Sequence, residues 1–419
     1  MNTSRPISDG GRPARGGRLR LAVLLSALSA APSLAIDMYI PALPNLAADL
    51  RASPGQAQLS LTGFLVGLAV GQLVAGPLSD KVGRRNPVLV GISAFAVGCA
   101  LCAVAINAPM LIIVRVVAGF AASAGLVIAR AVVTDRYQGP EADRFFAALL
   151  TIAGLAPSLA PLAGGLLLQV IDWRGVFTVI TVLAIAIAVG SFVWLPESLP
   201  RERRMTSSER QRTWASIRSL LANRDFVRFA AAVGLSFASL FAVISGAPFF
   251  LEQAYGVTAL QTSIVLALNG LGIVLAGQVS TRLVTRTGPW KLVLSGFAVS
   301  GSGGMVLLAV HLMHADLWAA LIGLFLAMSP VGLVLPNATS LAMSTRPAQE
   351  RAGTASAVIG VAQFAFGGIA APLASVGGAS ALPIAALALV AVIAGTGLTA
   401  LRIAAQHGGK ASDDTGNVA

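Results

Sequence analysis

Residues 57–106 read AQLSLTGFLVGLAVGQLVAGPLSDKVGRRNPVLVGISAFAVGCALCAVAI. Two apolar runs, 57–79 and 87–106, flank a turn that carries Asp80, Lys81, Arg84 and Arg85. At about 1.5 Å per residue each run, wound as a helix, crosses a hydrocarbon layer of about 30 Å. Backbone amides cannot stay unpaired in lipid, so spanning segments are helices or closed barrels. Barrel strands are about ten residues long with dyad alternation, and these runs are longer and uniformly apolar.

Outward from this pair the pattern repeats. Further runs are predicted at 20–44, 109–134, 145–170, 175–196, 226–251, 259–281, 292–312, 316–342, 352–375 and 380–401, twelve spans in all. The 419 residues are 56% apolar and only 11% charged, with a mean hydropathy of +0.81, which excludes a soluble globular domain. The net charge of +12 would suggest nucleic acid in a soluble protein, but its distribution excludes that partner. With the N-terminus in the cytoplasm, Arg51 and Arg174 fall in outer loops and Arg115 and Arg130 within spans. All the other basic residues, out of 29, fall on the inner side. This is the positive-inside pattern of a multi-pass protein of the bacterial inner membrane with both termini cytoplasmic. The polar, basic residues 1–19 precede an apolar stretch too long for a signal peptide, so the first helix is expected to be retained.

One long polar interruption, residues 197–225, divides six spans from six. The expected organisation is a tail at 1–19, a six-helix bundle at 20–196, a cytoplasmic linker at 197–225, a second bundle at 226–401 and a tail at 402–419. Within the linker Trp214, Ile217, Leu220 and Leu221 recur at helical spacing opposite Arg212 and Arg218, as in a helix lying on the membrane surface. Residues 71–91 align with 277–296 through one gap, pairing Gly71 with Gly277, Gly83 with Gly288 and Gly91 with Gly296, which points to duplicated halves. Cys99 and Cys102 sit mid-span and are expected to pack in the core. His311 and His314 sit at an outer helix end with no ligand set around them, so no metal is expected. Nor is an enzyme: the chain has no nucleotide-binding loop and no buried catalytic cluster.

Asp37 is the single acid expected to be buried within any predicted span. Burying a carboxylate costs about 2.5 to 3.5 kcal/mol on insertion scales, and a proton site is a function that would justify it. Arg115 lies within about one helical turn of the same depth, so pairing between the two is sterically open and would couple proton binding to a rocking motion.

The turn Gly76-Pro77-Leu78-Ser79-Asp80-Lys81-Val82-Gly83-Arg84-Arg85 resembles motif A of the major facilitator superfamily, which latches the cytoplasmic side in that family. Ala156-x-x-x-Ala160-Pro161-x-x-Gly164-Gly165 resembles its antiporter motif, with alanine in place of both leading glycines; small residues there let two helices touch. The segment around Arg115 and Gly119 resembles the family's motif B, with Ala118 where Gln is usual. Asp37 to Pro44, Ala129 to Asp135, Trp173-Arg174, Leu333 to Ala338 and Gly353 to Ala357 resemble the Bcr/CflA branch of drug-resistance transporters.

The resemblance implies an all-α membrane protein, twelve helices in two pseudo-symmetric six-helix bundles, that exports bicyclomycin-type, chloramphenicol-type or other small, mostly apolar molecules in exchange for protons. An exporter of an endogenous metabolite or nucleoside on the same scaffold is the alternative. Some related pumps carry a second acid two turns before the conserved Asp, where this chain has Ser29, so uncharged or zwitterionic substrates are expected. The implied cavity lies between the halves, lined mainly by helices 1, 4, 7 and 10 with help from 5, 8 and 11. Tyr39, Phe241, Met328 and Phe364 are candidates for its apolar surface, and Asn269, Asn337 and Gln363 for its hydrogen bonds. A monomer in the lipid bilayer is expected, with the proton gradient as energy source and no cofactor.

Overall fold

The computed structural model describes residues 15–137, 145, 158–201, 207–376 and 380–413, and everything described is helix, turn or short connection. In chain order the helices are α1 (Arg15–Asp37), α2 (Leu43–Asp49), α3 (Pro54–Val82), α4 (Arg85–Ala103), α5 (Ala108–Arg136), α6 (Ser158–Leu167), α7 (Trp173–Trp194) and α8 (Ser207–Ala222). Then follow α9 (Arg224–Tyr255), α10 (Ala259–Thr287), α11 (Pro289–Met313), α12 (Leu317–Met328), α13 (Val331–Met343), α14 (Arg346–Glu350), α15 (Ala352–Leu373) and α16 (Leu382–Asp413). Ten segments among the described residues are long and apolar enough to cross a membrane, with α1 and α2 counted as one segment and α12 and α13 as another. Two shorter apolar helices, Ser158–Leu167 and Leu382–Leu398, stand where the fifth and twelfth spans are expected. Most of the expected span 145–170 before Ser158, including Ala156, lies outside the described residues, as do 1–14 and 414–419.

Two expected spans are broken. The α-helix stops at Asp37 and the chain continues through a 3-10 turn at Ile40–Ala42 into α2. Proline explains the break: Pro41 has no N–H to return to the Asp37 carbonyl, and Pro44 has none for Ile40. Pro330 interrupts α12 and α13 in the same way.

The halves share their construction. Helix α3 opens on a Ser53–Gln56 capping box, runs 29 residues and stops at Gly83, whose φ is 103°. Helix α10 opens on a Thr258–Gln261 capping box, runs 29 residues and stops at Gly288, φ 79°. Both stops need left-handed backbone, which glycine adopts without steric cost. The aligned pair Gly83 and Gly288 therefore occupies equivalent turns.

With lipid outside, helices associate by close van der Waals contact rather than by the hydrophobic effect. Gly63, Gly67 and Gly71 form a stripe on α3 against Ile112, Val116 and Phe120 of α5, and Gly119 of α5 lies on the Phe64 backbone. Gly91 and Gly98 bring α4 onto Ala121, Ala124 and Ala118 of the same helix. Helix α5 is thus clamped on two sides, which fixes the side chains it presents. Between the halves, α3 packs on α15.

Helix α8 forms in the linker, but its apolar side does not simply face lipid. It packs on α9, α14 and α15, with Leu220 fully buried beside Phe226 and Phe229, while Leu221 stays exposed. The side chains of Arg212 and Trp214 lie outside the described residues. Cys99 and Cys102 are buried in the core as expected. His311 sits beside Ser380, 3.2 Å from its Oγ, and His314 caps α11 in left-handed backbone.

Candidate functional site

A cavity of about 1080 Å³ runs between residues of both halves. Helices α1, α3, α5, α6, α8, α9, α10, α13 and α15 all contribute to its wall, so α3 and α8 join the helices expected there. Along its length it extends from Asp37 to Asp80, Arg84 and Thr134.

Asp37 lines this cavity while its residue surface is only 4% exposed. Its carboxylate makes no ion pair or hydrogen bond with any described residue, and Arg115 is not its partner. The Arg115 guanidinium is fully buried elsewhere: Nη1 donates to the Ala35 carbonyl at 3.0 Å and Nε to that of Ser60 at 3.4 Å. Its carbon lies 4.2 Å from the Phe64 ring centroid and 4.5 Å from that of Tyr39, two cation–π contacts worth about 2 kcal/mol or more apiece when desolvated. The physical reason is the end of α1. Ala35 lies in its last turn, where carbonyls have no helical amide to receive, and Arg115 takes that carbonyl while Asp37 lines the cavity.

Tyr39 belongs to the Arg115 box as well: it is buried, its ring 5.2 Å from Phe177 and its hydroxyl 3.2 Å from Ser60 Oγ. It is not part of the cavity wall. Neither are Met328, buried in the core, Asn269, buried in α10, or Asn337, which donates to Ser280 Oγ at 2.6 Å and to the Leu333 carbonyl at 2.7 Å. Phe241, Gln363 and Phe364 do line it. Phe237, not foreseen, joins them, with its ring 6.0 Å from Phe241 and 6.1 Å from Phe364.

The expected acid count also needs correction. Glu252 lies one residue beyond the predicted span, yet α9 continues to Tyr255, and the Glu252 Oε1 is buried near Thr262.

At one end of the cavity the turn after α3 gathers charges. Arg84 Nη1 donates to Asp80 Oδ1 at 2.5 Å and to Ser79 Oγ at 2.7 Å, and Nε donates to Asp135 Oδ2 at 2.9 Å. The Arg84 amide donates to Glu197 at 2.8 Å, and Ser198 donates to Asp135 at 2.9 Å. Burial by itself would lower the Arg84 pKa, but Asp135 and Asp80 outweigh it and raise it above the usual arginine value. Arg85 turns away, donating to the carbonyls of Leu195 and Phe192. Gly76 lines the cavity and Gly83 makes the turn. Asp135, Glu197 and Ser198 were not foreseen as members of this cluster.

At the other end the halves meet. Gln58 Nε2 donates to the Ser245 carbonyl at 2.5 Å and Thr62 Oγ1 to that of Gly368 at 2.7 Å. Of the small-residue motif on α6, Ala160 and Pro161 are buried, Gly164 lies on the Met38 carbonyl and Gly165 on Ser263 of α10.

A family model described as Major Facilitator Superfamily matches residues 25–372. An uncharacterized MFS-type transporter of Bacillus subtilis, YdgK, is 37% identical over 92% of this chain and 97% of its own length. A bicyclomycin resistance protein homolog of Haemophilus influenzae is 28% identical, covering 82% of this chain and 86% of its own. A chloramphenicol resistance protein of Pseudomonas aeruginosa is 29% identical, with 83% and 80% covered. Among solved structures, a bacterial homolog to the human lysosomal transporter Spinster, in an inward-facing and occupied conformation, shares the fold at a TM-score of 0.71 and 16% identity, with 94% of this chain and 98% of that one covered.

Proposed function

The chain belongs to the Major Facilitator Superfamily, and from that premise we propose that it exports small, mostly apolar molecules in exchange for protons by alternating access. Relatives named for bicyclomycin, chloramphenicol and multidrug resistance support drug-like substrates. The observation that carries the proposal is Asp37: a carboxylate with no ion partner among the described residues, on the wall of a cavity large enough for a small molecule. Protonation of Asp37 and occupation of the cavity compete for the same space and field, which is the coupling an antiporter needs.

In this account the ten long segments, α6 and α16 mark twelve spans in two six-helix bundles joined by the linker. The basic residues orient the Arg84 end toward the cytoplasm of a bacterial inner membrane. The cavity is then accessible from inside, and the opposite end, where the halves meet beside Gln58 and Thr62 and α2 terminates at Asp49, is closed. Arg115 acts at one remove, holding the bend of α1 through the Ala35 carbonyl and so the position of Asp37.

The test is a compound panel in cells lacking their own pumps, including chloramphenicol and bicyclomycin, with accumulation measured with and without a protonophore. Lower accumulation that the protonophore restores is expected. If no compound's accumulation changes on expression, the export proposal loses its support.

A further inference from the structure

Arg130 plays no part in the account so far. It projects from α5 into the cavity, is exposed there, and makes no hydrogen bond, ion pair or ring contact with any described residue. Arg115, on the same helix, is fully enclosed. The nearest acid along α5, Asp135, is already occupied by Arg84 and Ser198. Arg130 stands about 22 Å along α5 from Arg115, and Arg115 marks the level of Ala35, so Asp37 is far too distant to neutralise it. An arginine retained only for membrane topology would reach outward to the lipid headgroups; this one faces the space between the halves.

Other polar atoms on the same wall lack partners. Gln72 Nε2, Ser29 Oγ and Ser158 Oγ are buried, line the cavity and have no hydrogen-bond partner among the described residues. The wall therefore offers a planar cation and several hydrogen-bonding groups, together with the rings of Phe237, Phe241 and Phe364.

We propose that Arg130 binds an anionic group, a carboxylate or its equivalent, on the transported molecule, so that the cavity favours aromatic amphiphiles bearing one acid group. A guanidinium fits a carboxylate through two parallel hydrogen bonds, a match that a neutral amide cannot make. The inference rests on the export proposal only in taking this cavity as the substrate site.

The test is fluorescence titration of the purified full chain in detergent with dansylglycine and with dansylglycinamide, which differ in the carboxylate alone. The native protein is expected to bind the acid about tenfold more tightly than the amide. Arg130→Gln should abolish that preference with amide affinity held within about twofold, and Arg130→Lys should keep part of it. A second measurement needs no variant: dansylglycine, but not the amide, should protect Arg130 from phenylglyoxal, as located by mass spectrometry. Equal binding of the two probes, no binding of the acid, a preference that survives Arg130→Gln, or no selective protection overturns the inference. None of these readouts involves a proton gradient. Acid-selective binding without proton-driven export would sink only the coupling proposal, and export of neutral drugs without acid preference would sink only this one.

Discussion

At the Asp49 end the halves are joined by neutral groups: Gln58 and Thr62 of α3 donate to carbonyls of α9 and α15, and Gly165 lies on Ser263. At the Arg84 end stands a cluster of full charges, Asp80, Arg84, Asp135 and Glu197, and the hydrogen bonds described for it stay within the first half and the start of the linker. In the proposed inward-accessible state the closed end thus holds by fit and weak hydrogen bonds, and the accessible end keeps its charges paired without the second half. A transporter needs both properties. A closure made of a few weak bonds can be undone by binding energies of a few kcal/mol, and a charge cluster that is complete by itself does not bind the opposite half while the cavity is accessible.

The comparison is most severely tested at Gly165. Gly165→Val would drive its side chain into Ser263, and overpacking of this kind costs about 1 to 3 kcal/mol. Export should fall at least about tenfold, measured as efflux rate at matched levels of folded protein; an unchanged rate would mean that the α6–α10 contact is not part of the closure. At the opposite end Arg84→Gln removes the charged donor shared by Asp80 and Asp135, at a cost on the order of 2 kcal/mol. The thermal unfolding midpoint in detergent should drop by several degrees, and a midpoint equal to the native one would remove the cluster from the account. The smallest effect is expected for Thr62→Val, which deletes one interhelical hydrogen bond worth about 0.6 kcal/mol. Spin-label distances across the Asp49 end should show the open population rising about threefold; no shift would mean that packing alone holds this end.

Most of the helices were legible, because a run of twenty apolar residues has few alternatives in water or in lipid. The proline breaks in α1 and at Pro330 were readable in principle, since Pro41, Pro44 and Pro330 stand in view, but hydropathy alone runs straight through them. Asp37 was legible as a costly residue that required a function. Its separation from Arg115 was not, since depth along two helices says nothing of which way each side chain points. Tyr39, Asn269, Met328 and Asn337 have the chemistry of a binding wall, yet helical phase turns them into the packing. Arg84 finds Asp135 and Glu197 across 51 and 113 residues of chain, a juxtaposition that only the fold creates. Arg130 was visible as a charge within a span, but its lack of a partner among the described residues becomes apparent only when those neighbours are in place.

Proton coupling at Asp37 is most directly measured with purified protein in detergent and a pH-sensitive dye, on adding a substrate identified by the compound panel. The native protein should release protons as the substrate binds. Asp37→Asn should bind the substrate without release, and in proteoliposomes its export should no longer respond to an imposed pH gradient. Proton release or gradient-driven export that persists in Asp37→Asn would contradict the account.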